Sequence, residues 1–377
     1  MTSGGVEKHV ERLAVGLVAK GHDVYAYTRP WYTSAKKKQY KGVNLISIGS
    51  IRTKNFDTIT HTLLASLDVL KRDFDVVHYH GVGPALLAWI PKLFKPSTKV
   101  VITFHCIDRY HQKWGYVARL ALYFGEWMAT HFAHDTITVS KVLQSYCADN
   151  FNADTIYIPN GVDVERRVAP QMISKKYGLL TGNYILFLSR LIRHKGAHML
   201  IKAYKELKTD KKLVIAGGSS FTDDYVQELH ELADGDKNII FTGSIHGGSR
   251  IWQELYSNAY LFVHPSESEG LPIVVLEAMS FGLPVLASDI VENMEAISGG
   301  FGFSFHNKDQ QDLKNKLQYL LANRPLVRRV AGEAIKHVQK NYAWNDIVGN
   351  VERVYEDVVS GKYGSKIDIK KLKKIGV

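Results

Sequence analysis

Apolar and polar positions alternate along this chain with two periods. Short β-prone apolar runs predict strands at 23–28, 44–49, 76–80, 99–105, 135–139 and 155–159. Between them, apolar residues recurring every three or four positions predict helices near 56–72, 83–94, 114–133 and 140–149. Ahead of these, Val6, Val10, Leu13, Ala14, Leu17 and Val18 keep helical spacing, with Gly21 as a C-cap. The alternation then starts again. Strands are expected at 184–189, 212–216, 238–242, 259–264 and 284–288, with helices near 194–209, 223–233, 249–258 and 272–281. Helices at 309–322, 325–341 and about 345–360 follow. Repeated βα alternation builds a parallel sheet covered by helices on both faces. The pattern therefore predicts an α/β protein of two doubly wound, Rossmann-like domains.

Ile158-Pro-Asn-Gly-Val-Asp163 is turn-rich punctuation, and a domain boundary is expected just after it. The expected layout is an N-terminal domain at 1–164, a C-terminal domain at 165–344, a terminal helix at 345–360 and a basic tail at 361–377. A parallel α/β domain ordinarily begins strand, loop, helix, whereas this sequence opens at the loop Met1-Thr-Ser-Gly4-Gly5. A first strand upstream of the sequence as written is therefore expected. The aromatics Trp114, Tyr116, Tyr123, Phe124, Trp127 and Phe132 are expected to serve core and helix–helix packing.

Composition narrows the class. The chain has 377 residues, 45% of them hydrophobic, enough for two domains with proper cores. Cys106 and Cys147 are its two cysteines, which form neither a disulfide framework nor a metal-ligand spacing. A reducing cytoplasm is the expected setting, at the inner face of the membrane. No stretch approaches the roughly 20 apolar residues of a membrane span. The formal net charge of +11 points to anionic partners. No nucleic-acid module is present, so nucleic acid is not expected. Residues 361–377 hold six lysines and one aspartate, +5 of that charge, and predict weak contact with anionic membrane surfaces.

The densest chemistry lies in residues 264–284. The run ending at Val263 reads as a buried strand, Ser266 to Gly270 as a polar loop, and Pro272 as the first residue of a helix closed by Gly282 and Pro284. Backbone N–H groups near Leu271 to Val274 then lack intrahelical partners and favour an anion. Glu269 sits in the loop and Glu277 on the apolar helix. A carboxylate buried there needs partners such as sugar hydroxyls, and a solvated glutamate on an exposed face is the plain alternative. Arg190, just after a strand, and Lys195, before the next helix, lie at the same edge of the sheet, where α/β folds bind ligands. Either cation alone reads as an ordinary surface residue. His105 ends the strand Val100-Val-Ile-Thr-Phe, where a core histidine is the plain alternative.

Glu269 and Glu277, set in Ser-Glu-Gly-Leu-Pro and Leu-Glu-Ala-Met, resemble the signature of retaining GT-B glycosyltransferases, in particular glycosyltransferase family 4. The resemblance covers nearly the whole chain and is most specific in 184–289. It implies two Rossmann-like domains facing across a cleft and transfer of a sugar from a nucleotide sugar to a glycan or lipid-linked acceptor with retained configuration. It further implies that Glu269 sits by the donor sugar and Glu277 contacts the ribose. Arg190 and Lys195, with the backbone of Gly270, Leu271 and Ile273, would bind the donor diphosphate. His105 would lie near the sugar and Gly4-Gly5 at the cleft. The departure is Cys106, where many members have glycine.

Asp73-Phe-Asp75 imitates a metal-binding DxD but precedes its strand, at the wrong edge of the sheet. No phosphate loop of the G-x-x-x-x-G-K-[ST] kind exists. Neither a metal nor another cofactor is expected, because Arg190, Lys195 and the helix N-terminus can neutralise the leaving diphosphate. Two other classes share these residues. A nucleotide-sugar epimerase would act without an acceptor, and a non-catalytic nucleotide-sugar-binding partner would tolerate replacement of Glu269, Glu277, Arg190 and Lys195.

Overall fold

A computed structural model describes residues 4–53, 56–110, 115–220 and 222–362. The expectations for Trp114 and for the tail beyond residue 362 lie outside them. The chain forms two compact units that divide at 5/6, 160/161 and 343/344. The N-terminal unit holds Val6–Asn160 and takes up the chain again at Trp344; the other holds Gly161–Ala343 together with Gly4 and Gly5.

In the N-terminal unit the order is α1 (Gly5–Ala19), β1 (Tyr25–Thr28), β2 (Gln39–Tyr40), β3 (Val43–Ser47), α2 (Asp57–Val69), β4 (Val76–His80), α3 (Val82–Ala85), α4 (Trp89–Phe94), β5 (Lys99–Phe104), α5 (Tyr116–His131), β6 (Asp135–Thr138), α6 (Lys141–Phe151) and β7 (Ile156–Tyr157). Its strands form two ladders, β1-β3-β2 and β4-β5-β6-β7, parallel except for the β2–β3 hairpin. Ser140 caps α6 by accepting from the Leu143 N–H over 3.2 Å.

Two expectations fail here for identifiable reasons. The helix expected over 83–94 is two helices. Pro91 has no N–H to offer the Leu87 carbonyl, and the amides of Leu86, Leu87 and Ala88 bond three residues back. The aromatics of α5 are also not its packing face. Tyr116 is 83% exposed and Phe124 52%, with Tyr123 and Trp127 also exposed and Phe132 half-buried. A narrow stripe of Leu122, Gly125, Glu126, Met128 and Ala129 is buried instead. There the Gly125 backbone lies so close to the Val82 carbonyl that a Cβ would stand 2.3 Å from its oxygen.

The last helix among the described residues, Trp344–Val359, joins the N-terminal unit's core. Its Trp344, Ile347, Val348, Val351, Val354 and Val358 pack with Leu13 and Leu17 of α1 and with Val101, Ile137 and Ile158. Gly16 permits this contact, since a Cβ there would meet Val348 Cγ2 at 2.5 Å. Lys20 and His22 both reach Glu352, over 2.6 and 2.9 Å.

The C-terminal unit runs α7 (Met172–Tyr177), β8 (Tyr184–Leu188), α8 (Ala197–Lys205), β9 (Lys212–Ala216), α9 (Asp223–Ala233), β10 (Ile239–Gly243), α10 (Arg250–Asn258), β11 (Leu261–His264), α11 (Ile273–Ser280), β12 (Val285–Ser288), α12 (Val291–Ile297), β13 (Phe303–Phe305), α13 (Gln310–Ala322) and α14 (Arg324–Asn341). One six-stranded parallel sheet, β10-β9-β8-β11-β12-β13, forms its centre. The chain first builds outward from β8 through β9 and β10, then returns to lay β11 on the other side. The order therefore reverses between β8 and β11, and doubly wound sheets bind ligands at such a switch point. β8 and β11 are almost wholly buried. Fully burying each of their Leu, Ile, Phe and Val side chains contributes roughly 1.5–3 kcal/mol. The short elements α7, α12 and β13 carry too few periodic residues to stand out in the sequence.

Candidate functional site

Register brings the C-terminal unit's chemistry together. Phe262 of β11 pairs with Leu186 of β8, so the two strands end level, at His264 and Leu188. Residues following β8 therefore meet residues following β11. After β8 the chain makes a 3-10 turn at Arg193–Lys195 and reverses at Gly196, whose φ is +74°. A Cβ on Gly196 would stand 2.0 Å from the Pro265 carbonyl oxygen, so only glycine lets the turn lie against the loop after β11. The His194 carbonyl accepts from the Glu267 N–H over 2.8 Å and from the Ser266 hydroxyl over 3.3 Å. The Ser288 hydroxyl donates to the Ser266 carbonyl, and the Asn293 amide donates to Ser288 Oγ over 2.9 Å. The acidic loop is thus tied to both neighbouring strand ends.

Within this frame the Lys195 ammonium donates to Glu269 Oε1. The same oxygen accepts from His264 Nε2 over 2.7 Å. Among the described residues Glu269 Oε2 accepts from none, which leaves it for a ligand. Lys195 is 9% exposed and His264 fully buried. Burial pushes the Glu269 carboxyl up, but the Lys195 ammonium and the His264 N–H more than reverse this and hold it well below the usual carboxylate range. Burial lowers the His264 pKa against the pull of Glu269, so the ring is neutral and its Nε2 carries the proton. The network is one cation, one anion and one neutral donor.

Helix α11 starts beside it. Pro272 is its N-cap rather than its first residue, and no side chain caps this end. Gly270, Leu271 and Pro272 are buried, and Ile273 begins the helix. Their backbone forms the approach to an N-terminus whose dipole favours an anion. Gly282, with φ +62°, closes the helix, and the Leu283 N–H returns to the Ala278 carbonyl over 2.9 Å. Glu277 is buried on α11 at 6% exposure and accepts from the Tyr256 hydroxyl over 3.2 Å. Tyr256, His264, Ser266, Ser288 and Asn293 carry no motif in the sequence; strand-end position was the one signal available for His264.

Arg190 is exposed two residues beyond β8, at the same sheet edge. Arg193 is instead paired with Glu228 and lies 5.0 Å over the Tyr225 ring. Burial raises the pKa of Glu292, in the first turn of α12, and the nearby Glu269 charge adds to this. In the N-terminal unit, His105 follows β5, is 7% exposed and lies 3.2 Å from His80. Gly5 opens α1 without a positive φ, and Gly4 precedes it. The Cys106 thiol donates to Asp108 over 3.2 Å. Asp73 is exposed and paired with Lys95 at 3.1 Å, on the connection between α2 and β4.

A parallel doubly wound sheet with a charged site at its switch point is a ligand-binding arrangement, and the fold is that of the GT-B glycosyltransferases. Sucrose-phosphate synthase from Thermosynechococcus elongatus superposes with a TM-score of 0.82 at 21% identity, covering 95% of this chain and 94% of that one. Anabaena HepE in complex with UDP-glucose superposes with a TM-score of 0.77 at 19% identity, covering 94% and 97%. The sequence model for glycosyl transferases group 1 matches residues 171–337, and that for glycosyltransferase family 4 matches residues 3–166. The chain belongs to this family of glycosyltransferases. It is 27% identical over 380 residues to the phosphatidyl-myo-inositol mannosyltransferase of Mycobacterium leprae, covering 97% of this chain and 96% of the relative. No helix among the described residues is long and apolar enough to cross a membrane.

Proposed function

We propose that this glycosyltransferase moves a sugar from a nucleotide-diphosphate sugar to a glycan or lipid-linked acceptor, retaining the anomeric configuration and requiring no metal. Its setting would be the synthesis of cell-surface polysaccharide or glycoconjugate. The observation that carries this reading is the buried Lys195–Glu269–His264 network beside the uncapped N-terminus of α11. Lys195, Arg190 and the amides following Gly270 supply positive potential where a diphosphate would leave, the main lever for such a reaction. Glu269, held ionised, orients and polarises the sugar through its open oxygen rather than attacking it. Glu277, steadied by Tyr256, takes the ribose hydroxyls. In the reaction the bond from the anomeric carbon to the diphosphate oxygen breaks. The acceptor hydroxyl adds from the same face, and its proton goes to the leaving phosphate.

The UDP-glucose bound by HepE supports a nucleotide-sugar donor, and the name of the mycobacterial relative supports a lipid-linked acceptor. A thermal-shift panel of UDP, GDP, ADP and dTDP identifies the base. At a hundredfold excess over Kd the true nucleotide adds about 2.7 kcal/mol. Proton NMR of the first product formed from the matching sugar nucleotide, with and without EDTA, then tests the chemistry. The retained anomer at unchanged rate is expected; an inverted anomer, or loss of turnover restored by a divalent ion, rejects it.

Contact with an anionic membrane surface has support besides the tail. Tyr116, Val117, Leu120 and Phe124 project from one side of α5, with Arg119 exposed among them. Aromatic and cationic side chains so mixed suit a bilayer interface. Sedimentation with anionic vesicles is expected to fall in a Tyr116→Ser, Phe124→Ser variant; unchanged sedimentation removes α5 from the contact.

A further inference from the structure

A second cluster of ligating side chains lies in the N-terminal unit. His9 on α1, His80 at the end of β4 and His105 after β5 each present a ring nitrogen within 4.8 Å of the other two. The register that pairs His80 with Thr103 brings the last two together. His80 Nδ1 and His105 Nε2 lie 3.2 Å apart. Two imidazole nitrogens bound at 2.0–2.1 Å to one tetrahedral ion lie about 3.3 Å apart, so this pair already has the spacing of a ligand pair.

The surroundings are those of a built site. His9 and His105 are 2% and 7% exposed, while His80 is half-buried and opens the cluster to an entering ion. His9 Nδ1 contacts the Asn160 amide oxygen at 3.0 Å, which makes Nδ1 the protonated nitrogen and leaves Nε2 to ligate. Such an outer partner fixes ring and tautomer in known metal sites. Burial lowers the pKa of all three rings, that of His9 to about 4, so each is the neutral imidazole that binds metal. The His78 ring lies against His80, centroids 4.0 Å apart and planes tilted by 30°, but is not a fourth ligand. Its nitrogens are held by the Tyr355 hydroxyl at 2.6 Å and the Thr103 hydroxyl at 2.7 Å.

We propose that His9, His80 and His105 form a binding site for one divalent transition ion of the zinc, nickel and copper class, with the fourth coordination position open. Three nitrogens without a carboxylate select these ions over the oxygen-seeking magnesium and calcium. On binding, whichever of His80 and His105 donates in their contact shifts its proton to its other nitrogen. The transfer chemistry proposed above runs on residues of the other unit and does not draw on this ion.

The test uses full-length, untagged, metal-stripped protein. Titration with Zn2+ against a chromophoric chelator is expected to give one equivalent bound, and Co2+ the strong visible absorption of a four-coordinate ion. The double variant His9→Gln, His80→Gln is expected to lose that equivalent. Asn160→Ala, which removes only the outer partner, should weaken it about 10- to 100-fold. Zinc-edge X-ray absorption on the wild type decides independently of whether the variants fold: a shell with three imidazole nitrogens is expected. Absence of a bound equivalent, binding unchanged in a folded double variant, or a shell of oxygens alone overturns the proposal.

Discussion

The two units place polar groups at the C-terminal ends of buried parallel strands, yet they solve the cost of burial in opposite ways. The C-terminal unit buries charge and pairs it: Lys195 and Glu269 share a contact, and His264 adds a neutral donor to the same oxygen. The N-terminal unit buries His9 and His105 and half-buries His80 with no carboxylate among them, and burial leaves those rings uncharged. An isolated buried charge is too expensive to keep, so it must find a partner or disappear. The paired site suits a charged ligand that re-partners the ions. The neutral site suits a ligand that brings its own charge.

The strongest test of this contrast removes one member of the pair. Lys195→Ala leaves the Glu269 carboxylate buried without its cation and is expected to cost about 3–5 kcal/mol. Lys195→Ala with Glu269→Gln should recover much of that loss in urea unfolding at neutral pH. Equal stabilities for the single and double variants would show that the pair is not coupled. Acidity tests the same pair. The folded-state pKa of Glu269 lies below its unfolded value of about 4.3, so its stabilisation is fully present above that pH and is lost as pH falls through the folded value. Glu269→Gln should flatten that part of the acid limb.

Next in size is catalysis. Glu269→Ala and Lys195→Ala should each lower turnover about 10²- to 10³-fold, or about 3–4 kcal/mol in the transition state. Near wild-type turnover with the confirmed donor would remove the residue from the chemistry. Smaller is Gly196→Ala. Left-handed backbone alone costs an alanine about 1–2 kcal/mol, and the Pro265 carbonyl adds a clash. Gly182, with φ +76° and open space, is the control: Gly182→Ala should show the strain alone. Similar losses for the two would mean that the turn and the acidic loop are not wedged together. The smallest effect belongs to the neutral cluster. His80→Gln strands no charge and should cost below about 1.5 kcal/mol. A loss as large as that of Lys195→Ala would break the comparison between the units.

The βα alternation, the strand ends and the helix N-terminus after Glu269 were legible in the sequence because each is a local pattern of hydrophobic period, glycine and proline. The Glu269 and Glu277 motifs, with Arg190 and Lys195, were legible through their family resemblance. Tertiary structure alone decided which of these residues touch. That Glu269 meets both Lys195 and His264 follows from β8 and β11 ending level, a register between strands more than seventy residues apart. That α5 buries its glycine and alanine stripe and exposes its aromatics follows from how closely Gly125 approaches Val82, which no period reveals. His9, His80 and His105 lie far apart in the sequence with no shared spacing. Their meeting is a consequence of α1, β4 and β5 converging at one edge. Local pattern determines what each segment becomes, because propensity and period act over a few residues; contact depends on the path of the whole chain between those segments.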